Sequence, residues 1–246
     1  MVQFNFPQKK AIYKIIYAGI ANSGKTANLK SIYNKLAKTN KVKLSTISAS
    51  PKDNLFLDFL TINIGIVEGM NTQFNIFSIP SGRIYHTIRK LFLHDVDGIV
   101  FVSDSFELDE NLRELKELET LANKGDQKFR EIPLVIQWNK RDLPQALDIK
   151  TLHEKINYLN APEYTAIATS GEGVLHTVEK ISNMIITKHI NKKSSEHEKN
   201  YTGQNTVYLP VLHGNNEQET FKRVPKFSNN AEKTKVRISV DSNFKE

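Results

Sequence analysis

Gly19-Ile20-Ala21-Asn22-Ser23-Gly24-Lys25-Thr26 follows the apolar run Ile12 to Ala18 and precedes the helical pattern Leu29, Ile32, Tyr33, Leu36. The eight residues fit the phosphate-binding loop G-x-x-x-x-G-K-[ST], and the flanks provide the strand and helix that this loop requires. A strand that ends in a glycine-bounded turn and opens a helix aims several backbone N–H groups at one spot, and the helix N-terminus adds partial positive charge there. A triphosphate suits such a cradle. Contacts are expected from Gly19, Asn22, Ser23, Gly24, Lys25, Thr26 and Ala27. Lys25 would reach the β- and γ-phosphates, Thr26 would offer its hydroxyl to Mg²⁺, and Gly24 would let the chain approach the phosphate oxygens closely.

A second signature narrows the base. The apolar run Leu134 to Trp138 delivers Asn139-Lys140-Arg141-Asp142, an N-K-x-D at the end of an expected strand. In nucleotide-binding α/β sheets the ligand lies beyond the carboxyl ends of the strands, so this tetrapeptide falls on the same edge as the phosphate loop. The Asp142 carboxylate can accept two hydrogen bonds from the N1–H and exocyclic amino group of guanine. Adenine has no such donor pair and would leave the charge unpaired. The aliphatic stem of Lys140 can lie along the base, and Asn139 can tie the base loop to the phosphate loop. Asn-Lys-Arg-Asp alone is weak, since polar tetrapeptides are common in loops; paired with the phosphate loop in this order it is specific.

The 246 residues can bury a full core, and the length suits one domain with an appendage. There is no cysteine, which excludes disulfides, thiolate metal sites, palmitoylation and prenylation. The chain starts Met-Val, so the myristoylation signal is absent as well. No apolar run reaches the roughly 18 residues that span a bilayer, and a cytoplasmic protein is expected. The net charge of +7 is diffuse: residues 1–190 hold 24 Lys and Arg against 20 Asp and Glu, and residues 191–246 hold 10 against 7. With no block of like charges, a mildly basic surface is expected and a dedicated nucleic-acid groove is not.

Apolar runs at Ile12 to Ala18, Leu55 to Ile62, Phe74 to Ile79, Ile99 to Ser103, Leu134 to Trp138 and Tyr164 to Ala168 read as six strands. Helical patterns lie at Lys25 to Lys38, Arg83 to Leu93, Asp109 to Ala122, Ile149 to Leu159 and Val174 to His189. Alternation of this kind predicts an α/β fold with a mainly parallel sheet and helices on both faces. The connection Asn63 to Thr72, with Gly65 and Gly69, predicts one antiparallel hairpin strand within it. The acidic residues of Glu107 to Glu119 share a helix with Leu108, Leu112, Leu115 and Leu118 and are expected on its solvated face. Residues 191–246 are polar, with eight asparagines, and are expected to form a disordered tail in which Val207 to Leu212 and Val236 to Val240 keep β-type sequence. The seven histidines never take a metal-ligand spacing.

Beyond these motifs, Leu44-Ser45-Thr46, Leu55-Phe56-Leu57-Asp58-Phe59-Leu60, Arg89-Lys90-Leu91, Asp97 to Ser105, Val135 to Pro144 and Gly171-Glu172-Gly173-Val174 resemble the MglA-type small GTPases of bacterial gliding motility and cell polarity. The similarity runs in order from about residue 8 to 190. It implies a Ras-like P-loop domain over residues 1–190 that switches between GTP and GDP, uses Mg²⁺, marks a cell pole and works with a roadblock-type GTPase-activating partner and polarity effectors. It also implies that Ala168 and Thr169 cap the guanine. Asp58 then corresponds to an aspartate that reaches Mg²⁺ through water, although a solvent-facing strand aspartate is an equal reading of the residue.

The resemblance breaks where hydrolysis is concerned. The family's P-G-Q, whose glutamine places the attacking water, is here Pro80-Ser81-Gly82, and its D-R-T before the following strand is Lys52-Asp53-Asn54. Ala21 stands where the Ras-like pattern prefers glycine. The catalytic residue is therefore unassigned, with Arg83 beside Gly82 a weak candidate. Slow hydrolysis is expected, since an arginine finger and a positioned water are worth about 10³ to 10⁵ in rate. The alternative is a catalytically inactive, nucleotide-binding or nucleotide-free paralogue that serves as a polarity scaffold.

Overall fold

A computed structural model describes residues 2–5, 7–39, 41–50, 55–125, 127–198, 208–210 and 221–223. The chain forms β1 (Gln3–Asn5), β2 (Lys10–Ala18), α1 (Lys25–Leu36), β3 (Val42–Ser50), β4 (Leu55–Val67), β5 (Met70–Ser78), α2 (His86–Leu93) and β6 (Gly98–Asp104). It continues through α3 (Leu108–Ala122), β7 (Leu134–Asn139), α4 (Ile149–Ile156), β8 (Glu163–Thr165) and α5 (Val174–Glu198), with a last short pair, β9 (Tyr208–Pro210) and β10 (Phe221–Arg223).

The main sheet has the order β3-β4-β5-β2-β6-β7-β8, with β1 added antiparallel to β2. From β5 to β8 all neighbours are parallel, while β4 runs antiparallel to both β3 and β5. The chain leaves β2 through α1 for β3 on one side of it and later crosses from β5 to β6 on the other, so a topological switch point falls at the end of β2, where open sheets of this kind bind ligands.

Strand periodicity explains the two cores. Tyr13, Ile15 and Tyr17 of β2 join the cluster that also contains Leu29 and Ile32 of α1 and Val174, Val178 and Ile181 of α5. Ile16 and Ala18 point to the other face, where they meet Leu93 of α2, Leu115 and Leu118 of α3, and Leu152 and Ile156 of α4. Helices therefore cover both faces.

The structure departs from the sequence reading at several points. The sheet gains β1, which is only three residues long, and β3, an edge strand whose lysine, serines and threonine blunt the apolar signal. The expected hairpin tightens to Glu68-Gly69, because β4 runs on to Val67 through a register shift between Asn63 and Gly65. The expected last strand Tyr164 to Ala168 shortens to β8, Glu163–Thr165, and the chain then enters a turn closed by the Ile167–Glu172 bridge. Helix α5 runs to Glu198, past the expected end at His189, and Tyr208–Pro210 pairs with Phe221–Arg223. The segment Val236 to Val240 and the switch positions 51–54 lie outside the described residues.

Candidate functional site

The loop from Gly19 to Thr26 begins one residue after β2 and ends inside α1. Gly24 caps α1 with φ 101° and ψ 18°, a left-handed conformation that favours glycine, and a Cβ there would sit 2.2 Å from Asn139 Nδ2. The glycine thus permits both the turn and the approach of the base loop. Asn22 is also left-handed, at φ 59°. No acidic side chain occupies the first turn of α1, so its positive end is left for an anion.

Lys25 is buried in this loop, with Nζ donating to the carbonyls of Gly19 at 2.9 Å and Ile20 at 2.6 Å. Burial pushes its ammonium down to about 8; Glu114 acts in the opposite direction and Arg89 adds to the depression. Loop carbonyls hold the lysine against its own phosphate cradle and limit the freedom it would lose on binding. Ser23 Oγ is buried without a hydrogen-bond partner among the described residues. An oxygen-rich ligand would meet the need of such a group.

The base loop is joined to the phosphate loop by one side chain. Asn139, the last residue of β7, donates from Nδ2 to Ser23 O at 2.7 Å and accepts from Ala168 N at Oδ1, 2.9 Å away. Its own carbonyl accepts from Ser105 N at 3.2 Å. Three loops from β2, β7 and β8 therefore converge. Lys140 adopts φ 63°, ion-pairs with Asp104 Oδ2 at 2.5 Å, and lies 5.5 Å from the centre of the Phe106 ring. These two contacts fix its ammonium, leaving the aliphatic stem for a planar base. Asp142 is exposed in the following turn, Ala168 is buried, and Thr169 is exposed beside it.

A second group of oxygens lies along the same edge. Thr26 Oγ1 is 3.4 Å from Ser78 Oγ at the end of β5. One step beyond the Phe59–Phe77 register pair, Asp58 lies opposite Ser78, and Asp58 Oδ1 accepts from Thr46 Oγ1 at 2.9 Å. Hydroxyls and a carboxylate are the hard oxygen donors that suit Mg²⁺, which keeps several waters and takes its other ligands from phosphate. The residue types therefore fit the ion. Among the described residues no group of three or more His, Cys, Asp or Glu forms a metal cluster.

The segment expected to perform hydrolysis is open. Gly82, at φ 92° and ψ 156°, has nothing within 4 Å of where a Cβ would be. Arg83 is exposed and opens a 3-10 turn, Arg83–Tyr85, that leads into α2. Ile84 and Leu91 expose 85% and 69% of their surface.

One expectation requires correction. The acidic face of α3 is not wholly solvated, since Glu114 is buried and ion-paired with Arg89 of α2. Helix α2 covers that position, which the leucine period of α3 alone does not reveal. Sequence reasoning also gave no role to Ser78, Asp104, Ser105 or Thr46. Asp104 and Ser105 had one visible signal, their place at the carboxyl end of a buried strand.

The chain matches the family model of the ADP-ribosylation factor family over residues 2–185. It is 38% identical over 187 residues to the mutual gliding-motility protein MglA of Myxococcus xanthus (strain DK1622), a similarity that covers 75% of this chain and 95% of that relative.

Proposed function

Because the chain belongs to the ADP-ribosylation factor family as an MglA-type small GTPase, we propose that it is a GTP/GDP switch in cell polarity or gliding motility that cleaves GTP slowly. The single observation that carries the reading is the Asn139 bridge, which joins the loop of residues 19–26 to the loop that continues to Asp142. Gly19, Asn22, Ser23, Gly24, Lys25, Thr26 and Ala27 hold the phosphates. Lys140, Asp142, Ala168 and Thr169 hold the base.

Thr26 and, through water, Asp58 would hold Mg²⁺ together with the nucleotide. The ion neutralises phosphate charge when bound. Hydrolysis is slow in this account because Gly82 has no side chain to orient water and Lys52-Asp53-Asn54 has no arginine. Nucleotide binding does not depend on either group.

The exposed Ile84 lies in the turn after Gly82 and the exposed Leu91 in α2 beyond it, and they suit a partner that reads this segment when the γ-phosphate is present. A roadblock-type activating partner and polarity effectors are the proposed readers. No described helix is long and apolar enough to cross a membrane, and the protein is proposed to be cytoplasmic and recruited to a pole. Glycine at position 82, where the family has glutamine, favours a second reading, a catalytically inactive polarity scaffold that holds nucleotide without turnover or binds none. Identifying the nucleotide that survives gentle purification tests both. Bound GTP with slow single-turnover cleavage supports the switch, cleavage as fast as a stimulated GTPase contradicts the slow step, and a site without affinity favours the scaffold.

A further inference from the structure

Helices α2 and α3 share a buried ion cluster to which nothing above gives a function. Arg89 is fully buried; Nη2 donates to Glu114 Oε1 at 2.6 Å and Nη1 to Glu117 Oε1 at 2.8 Å. His86 Nε2 lies 2.6 Å from the same Glu117 oxygen. Two carboxylates against one guanidinium leave a surplus negative charge whenever His86 is neutral and Glu114 ionised. Replacing such a cluster by apolar residues often costs nothing in stability, so its retention invites a reason other than folding.

Topology starts both helices of the cluster on the sheet edge that carries the phosphate loop. Strands β5, β2 and β6 are neighbours, and from their carboxyl ends spring α2, the loop with Lys25, and α3. Lys25 and Glu114 act on each other electrostatically, and Arg89 acts on both. A charge within this low-dielectric edge is screened far less than one at the surface. GTP brings one more negative charge than GDP.

We propose that Glu114 is a specificity-determining residue of the phosphate site: its buried carboxylate, held by Arg89 on the same sheet edge, opposes the additional charge of a γ-phosphate and narrows the preference for GTP over GDP. The inference rests on the reading of residues 19–26 as a guanine-nucleotide site. Glu114 touches no phosphate in this account; it acts through the field at Lys25 and through Arg89. A network that served only to pin α2 would change the affinity for both nucleotides together.

The test compares the full-length wild-type chain with Glu114→Gln, titrating each with Mg²⁺-GDP and a Mg²⁺-bound non-hydrolysable GTP analogue. Glutamine keeps an oxygen for Arg89 and removes the charge, so the analogue-to-GDP affinity ratio is expected to rise about three- to tenfold. Glu114→Asp restores the charge and is expected to return the ratio toward wild type. An unchanged or lower ratio in folded Glu114→Gln overturns the inference, as does a Glu114→Asp ratio equal to that of Glu114→Gln. Should Glu114→Gln fail to fold, Glu114→Met removes the same charge with a side chain of similar length, and its ratio is expected to rise likewise; an unchanged or lower ratio in folded Glu114→Met overturns the inference. Wild-type protein that binds neither nucleotide overturns the reading of the site itself, which the ratio does not.

Discussion

Asn139 Nδ2 donates to Ser23 O at 2.7 Å across 116 positions of sequence, while its Oδ1 accepts from Ala168 N. One primary amide thereby fixes the spacing between the loop that would hold the phosphates and the two loops that would hold the base. Carboxylate or apolar replacements cannot do this, because the side chain must donate on one side and accept on the other.

Asn139→Ala removes both contacts and leaves the buried Ser23 carbonyl and Ala168 N–H without side-chain partners. Each unsatisfied group costs roughly 1–3 kcal/mol. Guanine-nucleotide affinity is expected to fall by about a hundredfold and the melting temperature to drop, measured by calorimetric titration and thermal denaturation. Affinity within threefold of wild type would show that the bridge is incidental.

Gly24→Ala attacks the same junction from the other side. The added methyl meets Asn139 Nδ2 at 2.2 Å, and φ 101° is strained for alanine whatever the space. Binding is expected to weaken at least as much as in Asn139→Ala, and combining the two changes should cost less than the sum of each alone, because they break one contact. Full additivity in a double-mutant cycle would separate the two effects and contradict the shared junction.

Gly82→Gln has open space for its side chain but an unfavourable backbone. At φ 92° and ψ 156° a non-glycine residue costs of order 1–3 kcal/mol, so the melting temperature should fall by several degrees. Nucleotide affinity should hold. Single-turnover hydrolysis is expected to rise less than tenfold, since Lys52-Asp53-Asn54 still lacks an arginine. A rise of a thousandfold would mean that the missing glutamine alone explains slow cleavage.

Arg89→Ala leaves Glu114 buried with its principal cation gone, a loss of about 3–5 kcal/mol. Disrupting the exposed Arg113–Glu110 pair should cost under about 1 kcal/mol. Equal melting temperatures for the two variants would contradict the burial.

Glu114 also sets a pH dependence of stability. Desolvation outweighs Arg89 and pushes its carboxyl up to about 7 from an ordinary 4.5, so between those values the folded state binds the proton that the unfolded state releases. Stability from this group is therefore greatest below about pH 4.5 and declines as pH rises through 7, by a few kcal/mol at most. The melting-temperature difference, wild type minus Glu114→Gln, should be more favourable to wild type at pH 5.5 than at pH 8. The opposite slope would place the folded-state carboxyl below its unfolded value.

The parts of the fold that were legible in the sequence are those whose signal is local. Gly19 to Thr26 and Asn139 to Asp142 carry their chemistry in consecutive residues, and the buried runs at β2, β6 and β7 are apolar on both faces, as parallel strands must be. Even the Asn139 link between the loops follows from its residue type and position. Strand β3 escaped because an edge strand is half polar by necessity. Glu114 escaped for a different reason: its neighbour Leu115 marks the core side of α3, but only the arrival of Arg89 from a helix 25 positions earlier decides that the glutamate is buried too. The role of Ser78 was hidden in the same way, since its proximity to Thr26, 52 positions away in sequence, exists only in the folded chain.

The central claim is that one sheet edge selects guanine through Asp142 and binds phosphate through Lys25. Competition titration of purified chain with GTP, GDP and ATP, repeated on Asp142→Asn, tests it most directly. The account predicts tight binding of both guanine nucleotides, at least a hundredfold discrimination against ATP, and loss of that discrimination in the variant. Equal affinity for ATP and GTP in the wild-type chain would contradict it.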